Sequence, residues 1–165
     1  MDRIIQLHEE SIPQIMQLIS DAVEAMNSAD IQQWDEIYPD QRTVERDISE
    51  GTLYGLWIEN TLACIITINE FQDKEYAEIN WEINDLKPLV VHRLCVSPVF
   101  QGRGFAKLMM QFAENHAKKN DYKSIRLDAF TRNPASVGLY RDLGYRERGI
   151  VTFRKGDFYC FEKVF

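Results

Sequence analysis

A chain of 165 residues with 45% hydrophobic and 27% charged side chains has the make-up of an ordinary folded domain and enough length to bury a sizeable core. Its formal net charge of −7 argues against a general nucleic-acid binder, and no apolar run approaches the roughly 20 residues that a membrane helix needs. The first residues, Met1-Asp2-Arg3-Ile4, lack the basic region and apolar stretch of a secretory leader, and Cys64, Cys95 and Cys160 are odd in number and widely spaced, so buried reduced thiols and a cytoplasmic location are expected.

In chain order, residues 3–7 read as an edge strand. Ser11 suits the cap of a helix and Pro13 its first turn, and Ile12, Ile15, Met16, Ile19 and Val23 recur at helical spacing. An irregular stretch over residues 27–39 carries Trp34 and Tyr38, and a short helix over 43–50 is closed by Gly51. Residues 52–58 and 62–69 read as strands joined in a hairpin by Glu59, Asn60 and Thr61. A polar insertion over 70–87 contains Tyr76, Glu78, Trp81 and Glu82, with residues 78–83 themselves extended. Residues 89–96 form a strand, and a helix predicted over 104–119 puts Phe105, Leu108, Met109, Phe112 and His116 on one stripe. A strand over 124–130, a helix opened by Asn133 and Pro134 and ending near Gly144, and an antiparallel pair over 145–153 and 158–165 complete the order. No repeat, low-complexity segment or linker interrupts the chain, so a single domain over residues 1–165 is expected.

The most informative stretch leads from strand to helix through Gln101-Gly102-Arg103-Gly104-Phe105-Ala106-Lys107. Gly102 and Gly104 lack Cβ atoms, so the chain can turn tightly there and bring its amides close to a ligand. The following helix offers N–H groups and the positive end of its dipole, and Arg103 and Lys107 add charge at the same spot. That combination suits a pyrophosphate. An ordinary strand-to-helix turn would use the same glycines. A dinucleotide fold would need G-x-G-x-x-G with a small third residue, where this chain has Lys107.

Residues 101–106 fit Q-x-x-G-x-A. Residues 133–145 fit N-x-x-A-x-x-x-Y-x-x-x-G-[FY] apart from the small-residue position, where Ser136 stands directly after Ala135. With His92-Arg93-Leu94-Cys95-Val96-Ser97-Pro98 upstream, these motifs resemble the GCN5-related N-acetyltransferase (GNAT) superfamily. The likeness has motif quality over about residues 89–151, and in element order it extends over nearly the whole chain. It implies an α/β (α+β) fold: a mixed, mostly antiparallel sheet of six to seven strands with a splayed parallel central pair, flanked by about four helices.

The resemblance also implies acetyl-CoA (coenzyme A after transfer) as cosubstrate, with no metal. The backbone of Leu94, Cys95 and Val96 would hydrogen-bond the pantetheine arm and acetyl group. Gln101, Gly102, Arg103, Gly104, Phe105, Ala106 and Lys107 would cradle the pyrophosphate. Asn133 and Ser136 would contact the cofactor from the second motif, a role compatible with helix capping by Asn133. The Tyr140 hydroxyl would act as general acid toward the departing thiolate.

A primary amine is almost wholly protonated at neutral pH, so its attack on a thioester needs a base. His92, Glu82 and Glu78 are candidates, and the sequence does not choose between them. Cys95 sits mid-strand with no evident activating base and reads as a core thiol, not an acyl carrier. Trp34, Tyr38 and Trp81 are candidates for an acceptor pocket or for the core. The resulting expectation is a cytoplasmic N-acetyltransferase acting on an amine substrate, a small molecule before a protein. No nucleic-acid or membrane partner is expected, and a homodimer enters by family analogy alone. Acetylation of a protein N-terminus or lysine, and a non-catalytic acyl-CoA-binding module, are the alternatives.

Overall fold

The computed structural model describes residues 3–165; Met1 and Asp2, which entered the reading of the N-terminus, lie outside them. Seven strands are hydrogen-bonded: β1 (Arg3–Gln6), β2 (Leu53–Ile58), β3 (Thr61–Asn69), β4 (Leu89–Val96), β5 (Ser124–Phe130), β6 (Arg146–Phe153) and β7 (Gly156–Val164). Their order in the sheet is β1-β2-β3-β4-β5-β7-β6. β4 and β5 run parallel, with Leu89 opposite Ile125 and Val90 opposite Arg126. The pairs β1/β2, β2/β3, β5/β7 and β6/β7 are antiparallel. Four helices accompany the sheet: α1 (Ile12–Ser28), α2 (Gln41–Ser49), α3 (Phe105–Lys119) and α4 (Pro134–Asp142). This is the mixed α/β architecture that the motifs implied. None of the helices is long and apolar enough to cross a membrane, among the described residues. The chain divides into two compact units: residues up to Ile68 with Arg93–Phe112, and Asn69–His92 with Ala113–Phe165.

The core of the first unit gathers Leu7, Ile15, Leu18 and Ile19 with Val44 and Ile48 of α2 and Leu53 and Ile65 of the strands. Burial of each such side chain contributes about 1.5–3 kcal/mol. The buried stripe of α1 is Ile15, Leu18, Ile19 and Ala22, while Ile12, Met16 and Val23 pack half-buried beside it. Ser11 does not cap α1 as expected. Its backbone is already helical (φ −90°, ψ −3°), because a 3-10 turn over Glu9–Ser11 runs straight into the helix, and its side chain makes no capping bond. α2 begins at Gln41, two residues before the predicted start, because Asp40 is the true cap. Its carboxylate accepts from the Thr43 N–H at 3.0 Å and the Thr43 hydroxyl at 2.7 Å. The β2–β3 hairpin closes on Glu59 and Asn60 alone, since Thr61 already pairs with Ile58.

In the second unit, β5 and β7 pair in register from Ser124 opposite Val164 to Phe130 opposite Phe158. β7 starts two residues earlier than predicted, at Gly156, which pairs with Phe153 across a tight turn. Residues 78–83 are not a strand. A 3-10 turn over Lys74–Glu78 precedes them, and side chains of the unit satisfy their backbone where a ladder would have done so. The Asn84 amide donates to the Trp81 carbonyl at 2.8 Å, Arg148 Nε donates to the Asn80 carbonyl at 2.9 Å, and the Glu82 N–H donates to Glu162 at 2.6 Å. The face that α3 buries is also rotated from the predicted stripe. Met109, Met110, Ala113 and Ala117 are fully buried, whereas Leu108 is exposed and Phe112 and His116 are half-buried.

Candidate active site

In the first unit, β4 is followed by a 3-10 turn over Pro98–Phe100 and then by the glycine segment. Gly102 (φ +77°) and Gly104 (φ +81°) are both left-handed, a conformation that L side chains resist. A Cβ at either position would meet nothing within 4 Å. The glycines are therefore required by backbone conformation, not by crowding, and the turn lies open to a ligand. The first helical bond of α3 runs from the Leu108 N–H to the Gly104 carbonyl at 3.1 Å. The amides of Phe105, Ala106 and Lys107 thus point out of the helix N-terminus with no preceding carbonyl of their own helix. Arg103 places its guanidinium 5.3 Å from the Phe100 ring centroid, and Gln101 reaches back 3.5 Å toward the Val96 carbonyl. Open space, outward amides and two basic residues fit a pyrophosphate.

Upstream in the same unit, Leu94 and Val96 are half-buried and Cys95 is buried. Burial pushes the Cys95 thiol far above its ordinary value, which keeps it neutral and unreactive, as a core thiol should be. Arg93 carries a feature that sequence reasoning missed: its φ is +51°, inside a strand. Its buried guanidinium is bidentate on Asp47, with Nε to Oδ2 at 2.7 Å and Nη2 to Oδ1 at 2.8 Å, and Nη1 donates to the Tyr38 hydroxyl at 2.8 Å. Trp34 belongs to the apolar core. Tyr38 is exposed. A cavity of about 590 Å³ in this unit is lined by Gln14, Gln17, Asp21, Glu24 and Val99 among others, but by neither aromatic.

In the second unit, Asn133 caps α4: its Oδ1 accepts from the Ser136 N–H at 3.3 Å. Tyr140 lies near the other end of α4, 6% exposed, with Tyr145 and Phe161 at ring-centroid distances of 6.0 and 5.9 Å. Burial first, and the charge of Asp128 second, push its phenol above the ordinary value, so it keeps its proton. His92 Nε2 lies 2.9 Å from Asn69 Oδ1 and 3.1 Å from the Phe71 carbonyl. Asn69 Oδ1 also accepts from the Phe71 N–H at 3.0 Å, which identifies that atom as oxygen. Two acceptors at Nε2 assign the proton of the neutral ring to it and the lone pair to Nδ1. Glu78 and Glu82 have exposed side chains. Trp81 is an interior residue: the Arg126 guanidinium lies 4.3 Å over its ring and only 4% of it is exposed.

The model of the acetyltransferase (GNAT) family matches residues 15–145, which takes in the glycine turn, the capped helix and Tyr140. The chain belongs to the GNAT acetyltransferase family. A curated relative of this GNAT chain is an uncharacterized N-acetyltransferase of Methanocaldococcus jannaschii, 30% identical over 76 residues. The match covers 45% of the chain and 34% of that protein, so the chain spans about a third of its relative's length. Among solved structures, a GNAT acetyltransferase of Streptococcus agalactiae aligns over 99% of the chain and 95% of its own, with TM-score 0.84 and 24% identity. PaiA N-acetyltransferase of Thermoplasma acidophilum, solved with coenzyme A, aligns over 100% and 99% with TM-score 0.75 and 15% identity. At such identities the two structures establish the GNAT fold alone. Within it, the pairing of Arg93 with Asp47 had no signal in the sequence, because the two stand 46 positions apart and neither falls at a position of the pyrophosphate motif.

Proposed function

We propose that this GNAT chain transfers an acetyl group from acetyl-CoA to the amine of a small molecule, by direct attack and without an acyl-enzyme. The observation that carries the reading is the open, left-handed glycine turn at the N-terminus of α3, inside the residues matched by the family model. Acetyl-CoA supplies an activated acetyl group and a thiol leaving group.

The amides of residues 102–107, with Arg103 and Lys107, hold the pyrophosphate. Asn133 and Ser136 contact the cofactor arm from α4. The backbone of Leu94, Cys95 and Val96 lies along the pantetheine arm, and an N–H near Val96 faces the oxygen on which charge develops. Tyr140, kept protonated by burial, donates to the sulfur as it leaves. His92 is favoured over Glu82 as base, because it stands on β4 two residues before Leu94, next to the backbone proposed to face the acetyl group, and an imidazole can take the amine proton near neutral pH, directly or through a water. Three buried free thiols suit a reducing compartment, and we place the reaction in the cytoplasm.

Thiol release followed across a panel of small amines and of lysine and N-terminal peptides tests the reading. Turnover with small amines supports it. Turnover with peptides alone would make the protein a protein acetyltransferase.

A further inference from the structure

Among the described residues, four that are not glycine have positive φ: Asp30, Glu59, Arg93 and Asp121. Asp30, Glu59 and Asp121 sit in turns where the chain reverses, but Arg93 sits inside β4. A strand interior gives no local reason for a left-handed residue, and glycine would adopt it without the Cβ clash. Arginine persists there because its surroundings over-determine it.

The surroundings are a buried fork. Arg93 and Asp47 expose 7% and 1% of their side chains. Their two parallel bonds, at 2.7 and 2.8 Å, are joined by a third from Nη1 to the Tyr38 hydroxyl at 2.8 Å. Asp47 Oδ2 also accepts from the Thr67 hydroxyl at 2.9 Å, so β3, α2 and the loop before α2 converge on this one β4 side chain. Beyond the bend, the Ser97 N–H donates to the Ala63 carbonyl at 2.8 Å and anchors the far end of the strand. Between these two anchors lie Leu94, Cys95 and Val96. A left-handed residue in a strand breaks the regular alternation and re-aims the peptide groups that follow.

We propose that Arg93 and Asp47 are a positioning pair for the cofactor-facing backbone: the buried fork fixes the bend at Arg93, and the bend directs the N–H and C=O groups of Leu94, Cys95 and Val96 toward the pantetheine arm and acetyl carbonyl. The pair touches no substrate and acts only through the β4 backbone. The assignment rests on the cofactor placement proposed above. Lysine keeps the charge at position 93 but cannot reproduce two parallel bonds in one plane, so the bend loses its restraint while the carboxylate keeps a cation beside it.

Backbone amide NMR spectra of the full chain, titrated with acetyl-CoA, read the turn and the strand together. In the wild type, amides of residues 94–96 and of 102–107 shift on binding. In Arg93→Lys the shifts at 102–107 persist and Kd stays within about threefold, whereas those at 94–96 fall by about half or more and kcat drops about tenfold or more at little-changed KM for acetyl-CoA. Asp47→Asn gives the same pattern, and the dispersion of each spectrum reports that the variant is folded. Wild-type shifts at 94–96 in folded Arg93→Lys would overturn the positioning role and leave the cofactor site standing. No shift at 102–107 in the wild type would overturn the cofactor placement, and the pair's role with it. Collapse of dispersion in both variants would make the pair a folding element only and would likewise overturn the proposal.

Discussion

Asn69 holds His92 through a single nitrogen: its Oδ1 lies 2.9 Å from Nε2, and the Phe71 carbonyl meets the same atom at 3.1 Å. Those two acceptors put the proton of the neutral ring on Nε2. His92→Gln is expected to lower kcat/KM at pH 7 by about 10²-fold. The deficit should narrow as the pH approaches about 10, where the amine is increasingly neutral on its own. Paired pH profiles check this, and a deficit that stays constant across pH would remove His92 from the role.

Tyr140 should behave as a proton donor and not as a binding residue. Tyr140→Phe is expected to reduce kcat by about 10²-fold while acetyl-CoA affinity stays within about twofold. The pH dependence has a definite sign. Because burial raises the phenol above its ordinary value of 10.0, the donor form is full below that value and is lost only as the pH rises through the higher one. Wild-type kcat should therefore show no alkaline fall from this group below pH 10.0. A large loss of affinity in Tyr140→Phe would count against the assignment.

Gly104 separates conformation from space. Its φ of +81° strains any side chain, yet a Cβ there would meet nothing within 4 Å. Gly104→Ala should cost about 1–2 kcal/mol of stability, whereas Gly104→Asn, which tolerates the left-handed region, should cost less. Gly104→Val should abolish acetyl-CoA binding by forcing the turn out of shape. Thermal unfolding and calorimetric titration measure both. Normal affinity in folded Gly104→Val would rule out the proposed cradle.

Arg126 ties the 70–87 insertion to the second unit. Besides the Trp81 ring, it donates to Gln72 Oε1 at 2.6 Å and to the Ile83 carbonyl, and its Nε lies 3.4 Å from Glu162, which is 2% exposed. Arg126→Ala leaves that carboxylate buried without its cation, a change that costs about 3–5 kcal/mol. Hydrogen exchange at the Glu82 amide, bonded to Glu162, should quicken more than exchange in the β6–β7 ladder. Equal acceleration everywhere would mean that Arg126 supports the whole unit and not the insertion.

What could be read from the chain was local. β4 has the predicted bounds, and the glycine turn and the cap at Asn133 lie where their residue types place them, because turn geometry and capping act within a few positions. The failures were tertiary. Ser11 has the chemistry of a cap, but the turn before it had already made its backbone helical. The insertion took its shape from Arg126, Glu162 and Asp128, side chains 43 to 80 positions away from the insertion groups they bond. The fork of Arg93 and Asp47 was hidden for the same reason: neither charge signals burial until the other is beside it.

The most direct test is stoichiometric. With wild-type protein, saturating acetyl-CoA and each amine of a small-molecule panel, free thiol and acetylated amine are quantified in the same reaction. At least one amine should yield the two products in equal amounts, at a rate that falls sharply in Tyr140→Phe. Tight binding of acetyl-CoA with no thiol released for any amine or peptide would contradict the account and leave a binding module in place of an enzyme.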